Sequence, residues 1–527
     1  MTDLLVTNAL VVDGTGAPPF HGSVAVSADR IERVLRPGEA EPTVARRFDA
    51  QGRAVAPGFI DAHSHSDVEP FVEPGMDSML RQGVTTMVVG NCGSSAWPVE
   101  GAGELAEWAG VHGLDLDLSW RTFAEYLEAI DAASPALNVA ALVGHGTLRL
   151  AVLGEEQRRP PADEETQRMR ELLASAIDEG AIGLSSGLIY SPGIHATTEE
   201  IAELASVMAG RGGLYVSHIR DEGAHVFDAV AECIRIGRLA GVPAHVSHLK
   251  VSTSFAWGRA QELHDLIDAE REAGADISAD QYPYAAWETE LASYLPPWAS
   301  PEDLPRLRAE PETAERLRRS IEEGEEGWES SVAGVGWDRS VIGAHAGAPE
   351  LTGLSLERIA HEHGTEPVQV LLDLLEADRY TGVIGHGMQE DDVRLIATRE
   401  DVFVGTDGLA VTPDGPLGRF SVHPRYYGTF PRVLRRYVRE DRVLSLEAAV
   451  RKMTSLPADR FGLRNRGRIA RGGFADLVVF DPETVSDRAT FEAPHTFAEG
   501  IDLVVVNGRV AWDGRRGERA GRALRRG

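Results

Sequence analysis

Near both ends of this chain, apolar and polar residues alternate in short runs separated by Gly and Pro, a pattern typical of antiparallel strands. These runs are Leu4–Val12, Ser23–Ser27, Gly473–Asp481 and Ile501–Gly508. Because the same texture occurs at both ends, we predict one small β-sandwich domain built from residues 1–54 and 466–527. The long middle of the chain is then a single insertion between the two parts of that domain.

The middle of the chain repeats a unit in which a β-branched run ends in polar residues and a helical stretch follows. This unit is typical of βα repeats in a parallel sheet. Eight runs fit the strand half of the unit: Phe59–His63, Val84–Cys92, Asn138–His145, Ala181–Ser186, Leu214–His218, Val242–His248, Ala275–Asp280 and Val402–Asp407. We therefore predict an α/β fold, a distorted (β/α)8 TIM-type barrel, over residues 55–465.

Two further strand-like runs, Ser340–His345 and Gly382–His386, exceed the eight and leave the seventh strand undecided. Residues 286–339 are rich in Glu, Arg, Pro and Trp and contain an acidic run at 322–326. We predict an insertion there. Its composition is compatible both with a lid over a pocket and with a solvated helical surface.

Charge and hydropathy narrow the class of partner. The chain has 82 acidic and 52 basic residues among 527, a formal net charge of -30. This disfavours nucleic acids and anionic membranes as partners, because each phosphate contact requires Lys or Arg. No apolar run reaches membrane-spanning length, and the N-terminus does not resemble a signal peptide. We expect a cytoplasmic protein that acts on a small molecule, with an oligomeric state that the sequence leaves open.

Lysine is almost absent, since Lys250 and Lys452 are the only lysines among the 52 basic residues. Genomic base composition explains the excess of arginine, but it does not explain the two positions that retain lysine. A position of this kind is a candidate for a site that requires a compact ammonium group and excludes a planar guanidinium.

The first candidate for chemistry is a pair of histidines, His63 and His65, at the end of the apolar run Val55–Asp67. Side chains alternate along a strand, so both imidazoles point to the same side, at the carboxyl end where parallel barrels have their active sites. The alternative is a polar strand end with two unrelated histidines. Four more potential ligands end predicted strands: Cys92, His218, His248 and Asp407.

Ligands from separate strands of one barrel converge on one point, and a set of imidazole, thiolate and carboxylate suits Zn²⁺. Three more histidines, His145, His345 and His386, also end strand-like runs. The sequence therefore offers more histidines than one site needs, and some of them must be structural or hydrogen-bonding residues.

Several motifs carry a resemblance to known families. The segments Pro57–His65, Gly405–Gly408 and Gly467–Asp481 resemble the amidohydrolase superfamily. A more specific set resembles the D-aminoacylases, the N-acyl-D-amino-acid deacylases: Gly90–Gly93, Gly144–Arg149, Gly187–Pro192, Ser217–Glu222, Ser247–Lys250, Tyr282–Tyr284, Gly385–Met388, His423–Arg425 and Gly428–Arg432. The resemblance extends from about residue 4 to residue 513.

The resemblance implies zinc-dependent hydrolysis of the amide bond of N-acyl-D-amino acids, which releases a carboxylic acid and a D-amino acid. It places one tightly bound zinc ion on Cys92, His218 and His248. A second metal position, weaker or empty, is expected beside His63, His65 and Asp407. The metal activates water at neutral pH, and Asp407 is the implied general acid and base that moves a proton from this water to the leaving nitrogen.

The resemblance also assigns the substrate's α-carboxylate to Lys250, Tyr282 and Arg425. In one place the chain departs from the family pattern: where relatives have small residues after the Tyr-Pro-Tyr segment, this chain has Trp287 and Glu288. Their bulk and charge leave the preferred amino-acid side chain and acyl group undecided.

Two other interpretations share the predicted fold. A cyclic amide hydrolase of the dihydroorotase or hydantoinase type is disfavoured by the motifs for a linear substrate and by the missing strand lysine, since many binuclear members of the superfamily bridge two metals with a carbamylated lysine on a barrel strand. Here the one lysine near a predicted strand, Lys250, follows a ligand histidine. A non-catalytic barrel that serves in binding or assembly is disfavoured because the set of histidine, cysteine and aspartate ligands is complete.

Overall fold

The computed structural model describes residues 2–526. Its strands, in chain order, are β1 (Thr2–Val11), β2 (Phe20–Ser27), β3 (Arg30–Leu35), β4 (Val44–Asp49), β5 (Ala54–Pro57), β6 (Phe59–Asp61), β7 (Val84–Val89), β8 (Asn138–Ala141), β9 (Val143–Gly144), β10 (Gly183–Gly187), β11 (Leu214–His218), β12 (Ala244–Val246), β13 (Ile277–Gln281), β14 (Trp287–Glu290), β15 (Ser340–Ile342), β16 (Gly382–Gly385), β17 (Val402–Val404), β18 (Leu477–Phe480), β19 (Ile501–Val506), β20 (Arg509–Trp512) and β21 (Ala523–Leu524).

The α-helices are α1 (Glu69–Val72), α2 (Asp77–Leu80), α3 (Gly103–Val111), α4 (Phe123–Ala133), α5 (His145–Leu153), α6 (Asp163–Glu179), α7 (Thr198–Ala205), α8 (Val226–Ala240), α9 (Ala260–Glu272), α10 (Leu304–Ala309), α11 (Pro311–Glu323), α12 (Ser331–Val335), α13 (Leu356–His363), α14 (Pro367–Ala377), α15 (Glu390–Ala397), α16 (Arg425–Arg432), α17 (Leu446–Met453) and α18 (Ser455–Arg460). A π-helix, Val433–Glu440, continues α16. Within residues 2–526, none of the helices has the length and apolar character needed to cross a bilayer.

Strands from both ends of the chain form one eight-stranded sheet. Its order is β20-β19-β18-β5-β1-β2-β3, and β4 pairs with β1. The antiparallel pairing of β18 with β5, in which Leu477 lies opposite Pro57, joins the C-terminal strands to the N-terminal ones. One hydrophobic cluster contains buried residues from both parts, among them Val6, Val55 and Leu503. Residues more than 400 positions apart in the sequence therefore share one core.

The barrel consists of eight parallel strand positions: β6, β7, the interrupted strand β8–β9, β10, β11, β12, β13 and β17. The ring closes between its first and last strands. Ala62 N–H donates to Val404 O at 3.3 Å, and Ser64 forms an isolated parallel β-bridge with Gly408. All eight predicted strand runs take part, which confirms the predicted (β/α)8 barrel. The seventh strand is β13.

The two surplus strand-like runs form β15 and β16, which lie outside the barrel. They pair with β14 in a separate antiparallel sheet in which Trp287 and Ser340 both lie opposite Gly385. A hydrophobic cluster of its own packs against this sheet and includes Leu304, Leu317 and Val383. Because β14 begins a few residues after barrel strand β13 ends, this part of the chain lies at the carboxyl end of the barrel.

The last described residues return to the barrel. Strand β21 pairs in parallel with β8, where Ala523 lies opposite Val139. The C-terminal segment therefore leaves the sheet shared by the two ends of the chain and adds a short strand to one side of the barrel.

Candidate metal centre

The predicted ligand residues lie at the carboxyl ends of five barrel strands. His63 and His65 follow β6, Cys92 follows β7, His218 ends β11, His248 follows β12, and Asp407 follows β17. All parallel strands of a barrel end at the same face, so the six side chains enter one space.

Three of these residues have a backbone conformation that is unusual for a residue other than glycine. The φ angle is 52° at Cys92, 36° at His248 and 50° at Asp407, all in the left-handed region. Such a conformation costs about 1–3 kcal/mol per residue and persists only where the surroundings enforce it. Its occurrence at three potential ligands in one place indicates that the fold is specialised to direct these side chains inward.

The Cys92 sulfur is the centre of the cluster. Its Sγ lies 3.4 Å from His63 Nε2, 3.5 Å from His248 Nε2 and 3.6 Å from His218 Nδ1. With Zn–S and Zn–N distances of about 2.3 and 2.0 Å, two ligands of a tetrahedral zinc ion are separated by about 3.5 Å. Each of the three distances therefore fits a cysteine and a histidine that coordinate the same ion.

Asp407 lies on the His63 side of the cluster. Its Oδ1 is 3.1 Å from His65 Nε2 and 3.5 Å from His63 Nε2. One ligand atom from each of His63, Cys92, His248 and Asp407 lies within 4.8 Å of the others. His65 is adjacent to this group through Asp407, and His218 is adjacent to it through Cys92.

Both acidic members of the cluster, Cys92 and Asp407, are held in their charged forms. Burial raises the pKa of Cys92, but the charge of His63 and contacts with His218 and His248 outweigh it and hold this pKa well below its usual value. Burial also raises the pKa of Asp407, and the Arg425 guanidinium and nearby histidines again outweigh it. The site thus contains a thiolate that suits a soft metal and a carboxylate able to accept a proton.

A second group, His218, Glu222 and His248, is also close enough for metal binding. An ammonium already lies there: Lys250 Nζ is 2.6 Å from Glu222 Oε1 and 2.7 Å from His248 Nδ1. We therefore place no metal ion beside Glu222; the other nitrogens of the two histidines, His218 Nδ1 and His248 Nε2, face Cys92. Glu222 Oε1 is also 2.9 Å from His248 Nδ1, so it orients that imidazole. Glu222 is not among the residues predicted from the sequence, although it lies in the Ser217–Glu222 motif.

The three residues assigned to the substrate carboxylate lie together. The Tyr282 ring centroid is 5.7 Å from Lys250 Nζ and 4.8 Å from the Arg425 guanidinium carbon. Tyr282 is buried, and its hydroxyl has no hydrogen-bond partner within residues 2–526. Arg425 Nη1 also lies 3.0 Å from Asp407 Oδ2, an ion pair that the sequence did not indicate.

Strand β14 borders the same space. Thr289 Oγ1 lies 2.8 Å from the hydroxyl of Tyr190, whose ring centroid is 4.7 Å from that of His218. The Glu288 carbonyl accepts a hydrogen bond of 3.2 Å from Arg425 Nη2. Burial raises the pKa of Glu288 despite the opposing effect of Arg425. The residue flagged as a departure from the family pattern therefore adjoins Arg425.

The other strand-end histidines lie in separate contacts. His145 Nε2 is 3.0 Å from Glu200, His345 Nδ1 is 3.2 Å from Asp378, and His386 packs against Phe491. None of the three belongs to either potential metal group within residues 2–526.

Comparison with known proteins places these observations in a family. A protein-family model described as "Amidohydrolase family" matches residues 46–511 of this chain. The chain is 40% identical to a D-aminoacylase of Alcaligenes xylosoxydans xylosoxydans, over 99% of this chain and 98% of the relative. A solved N-acyl-D-glutamate deacylase from Bordetella bronchiseptica, complexed with zinc and a phosphonate inhibitor, matches with a TM-score of 0.83 at 36% identity over 99% of both chains. A D-aminoacylase structure that addresses a binuclear metal centre matches with a TM-score of 0.83 at 37% identity over 100% of both chains.

Proposed function

Because this chain belongs to the amidohydrolase family, we propose that it is a zinc-dependent deacylase that hydrolyses the amide bond of N-acyl-D-amino acids, releasing a carboxylic acid and a D-amino acid. The observation that carries the proposal is the Cys92 sulfur, 3.4–3.6 Å from three imidazole nitrogens and in one group with Asp407. The names of the D-aminoacylase and the N-acyl-D-glutamate deacylase support the substrate class.

The donor set supports zinc as the metal. Thiolate and imidazole are the ligands that zinc prefers, and the ligand separations fit its bond lengths. Cys92, His218 and His248 hold the tight position, and His63, His65 and Asp407 surround the weaker one. Because the Cys92 sulfur lies 3.4 Å from His63 Nε2 and 3.6 Å from His218 Nδ1, it adjoins both positions. When bound, zinc polarises the scissile carbonyl and makes water acidic enough to supply a nucleophile near neutral pH.

Asp407 moves the proton. The ion pair with Arg425 and the neighbouring histidines keep its carboxylate ionised, so it is able to take a proton from the attacking water. Its position beside both His63 and Arg425 places it between the metal group and the proposed carboxylate site. From there it returns the proton to the nitrogen of the departing D-amino acid.

Lys250, Tyr282 and Arg425 bind the α-carboxylate of the substrate. Lysine has three N–H donors, and Glu222 Oε1 accepts one of those of Lys250 at 2.6 Å, so Lys250 retains a donor for the substrate. The Tyr282 hydroxyl and the Nε of Arg425 are buried and have no hydrogen-bond partner within residues 2–526. A carboxylate placed here supplies the acceptors that these donors lack, which offsets the cost of their burial.

If Lys250 binds the substrate carboxylate, its replacement in Lys250→Met weakens that contact, because methionine keeps most of the length of the side chain but has no charge. We expect kcat/KM for an N-acyl-D-amino acid to fall by the equivalent of about 2–5 kcal/mol, because the bond to the carboxylate is charge-assisted and buried. The loss is expected to shrink for the corresponding D-amino-acid amide, which lacks the carboxylate. Steady-state kinetics on the acid and the amide measure both values. An equal loss on both substrates would contradict the assignment and show that Lys250 acts only through His248.

A second prediction concerns Glu288→Gln, which removes a carboxylate beside Arg425. We expect KM for N-acetyl-D-amino acids to fall about 5–10-fold, since about 1 kcal/mol of repulsion between Glu288 and the substrate carboxylate is lost. Glu128→Gln, a substitution of an exposed glutamate on α4, is the matched control and leaves KM unchanged. An unchanged or higher KM for Glu288→Gln would show that Glu288 does not face the bound substrate.

The cyclic amide hydrolase is the alternative, and the positions of the lysines disfavour it. Lys250 contacts Glu222 and His248, and Lys452 Nζ donates to the carbonyl oxygens of Arg399 and Val402. Neither lysine is part of the group around Cys92. A lysine that bridges two metals, as in many cyclic amide hydrolases, has no equivalent at this site.

A substrate panel tests the proposed reaction. Purified enzyme loaded with zinc is assayed with N-acetyl-D-leucine, N-acetyl-D-glutamate, hydantoin and dihydroorotate. We expect release of the free D-amino acid from at least one linear substrate and no ring opening. Ring opening that is faster than deacylation would support the alternative.

A further inference from the structure

A buried carboxylate on β13 connects two of the candidate ligands. Asp280 is 1% exposed. Its Oδ2 lies 3.3 Å from His63 Nδ1, and its Oδ1 accepts a hydrogen bond of 2.8 Å from the backbone N–H of His248. Asp280 is not a member of either potential metal group within residues 2–526. Asp280 therefore contacts His63 and His248 through atoms that do not face Cys92: the Nδ1 of His63 and the backbone N–H of His248.

The contact with His63 selects one form of the imidazole. An ionised carboxylate only accepts hydrogen bonds, so Nδ1 carries the proton and donates it to Asp280. The lone pair of Nε2 then points to the Cys92 sulfur, 3.4 Å away. Without Asp280, the other tautomer would place a proton where a metal ion must bind.

The contact with His248 holds a strained backbone. His248 has a φ angle of 36°, which a residue with a side chain adopts only when its surroundings enforce it. The hydrogen bond from its N–H to Asp280 Oδ1 supplies part of that enforcement. One carboxylate therefore fixes ligands that follow two different strands, β6 and β12.

A second buried histidine holds Asp280 itself. His245 on β12 is 0% exposed, with Nε2 2.8 Å from Asp280 Oδ2 and Nδ1 2.8 Å from Ser278 Oγ. The Phe403 ring stacks on this imidazole at 5.3 Å. His245 thus donates from Nε2 to Asp280 while Nδ1 accepts from the serine hydroxyl. Every polar atom of this chain of contacts has a partner, which restricts Asp280 to one orientation.

We infer that Asp280 is a positioning residue that sets the metal affinity of the site through His63 and His248, and that His245 supports it. This inference rests on the proposed function only in taking the Cys92 group as a metal site. Asp280 touches neither substrate nor metal. It acts by presenting two imidazoles in the form and direction that bind zinc.

The test is the zinc affinity of Asp280→Asn, measured by competition with a chromophoric chelator. We expect the dissociation constant for zinc to rise about 10–100-fold, the usual cost of losing a carboxylate that orients a ligand histidine. In the cobalt-substituted variant, the visible absorption of the cysteine–cobalt centre is expected to shift or weaken, because the ligand geometry changes. Asp476→Asn is the matched control: Asp476 is also buried but pairs with Arg466, outside the metal centre. We expect this control to retain wild-type zinc affinity.

His245→Gln tests the same inference with a milder change, and it applies even if Asp280→Asn does not fold. The glutamine amide retains a donor near Nε2 but not the aromatic packing, so we expect a smaller rise in the zinc dissociation constant, about 2–10-fold. Wild-type zinc affinity and an unchanged cobalt spectrum in His245→Gln, or in a folded Asp280→Asn, would overturn the inference. Failure of the proposed function is distinct, because it would appear as wild-type protein that binds zinc but does not release D-amino acids.

Discussion

Cys92→Ser is expected to lose measurable deacylation and most of its zinc. The Cys92 thiolate adjoins both proposed metal positions, and its sulfur lies within 3.6 Å of three imidazole nitrogens. A serine hydroxyl is neutral near pH 7 and is a much poorer zinc ligand than a thiolate. Both lysines have other partners, so no carbamylated lysine is available to replace the missing anion. Metal analysis of the purified variant and an assay of D-amino-acid release measure the two losses.

Cys233→Ala is the matched control for this experiment. Cys233 is the other cysteine, buried in α8, and burial raises the pKa of its thiol well above the usual value, so that the thiol stays neutral. We expect this variant to retain near-native zinc content and turnover. If Cys92→Ser also retained both, the cysteine-centred metal site would be wrong.

Asp407→Asn is expected to retain zinc while its turnover falls about 10²–10⁴-fold, the usual range for loss of a general base. The amide keeps the shape of the side chain but is unable to accept the proton of water. Zinc is retained because Cys92, His218 and His248 do not depend on this carboxylate. Metal analysis together with kcat for an N-acetyl-D-amino acid separates the two effects. Turnover above about one tenth of the wild-type value would place the base elsewhere.

The barrel could be predicted because its signal is local. Each strand is an apolar run that ends in polar residues, and this sequence pattern recurs at every strand of a parallel barrel. The surplus runs 340–345 and 382–386 have the same local pattern but pair antiparallel with β14. Strand pairing depends on residues distant in sequence, so the pattern alone did not separate them from barrel strands.

The candidate ligands could be predicted for the same reason, since they follow strands that end at one face. Their supporting residues could not. Asp280 and His245 lie within predicted strand runs, and no local pattern distinguishes them from other polar residues there. The pairing of Arg425 with Asp407 joins residues whose proximity depends on the loop after β17. Contacts between residues so far apart in the sequence can be identified only from the three-dimensional structure.

The contacts of the two lysines explain why these positions retain lysine in a chain that otherwise uses arginine. Both are buried, and each points its ammonium at two close neighbours: Lys250 at Glu222 and His248, Lys452 at two backbone carbonyls. A guanidinium is larger than an ammonium and planar, so we expect it to fit each of the two places less well than lysine does. The sequence indicated the need for a compact cation, and the structure supplies the reason.

The most direct test of the central claim is the ratio of kcat/KM for N-acetyl-D-leucine to that for N-acetyl-L-leucine, measured with zinc-loaded enzyme. We expect efficient release of D-leucine, a large preference for the D-enantiomer, and loss of the activity when a chelator removes zinc. Equal rates on both enantiomers, or D-leucine release that persists without zinc, would contradict the central claim.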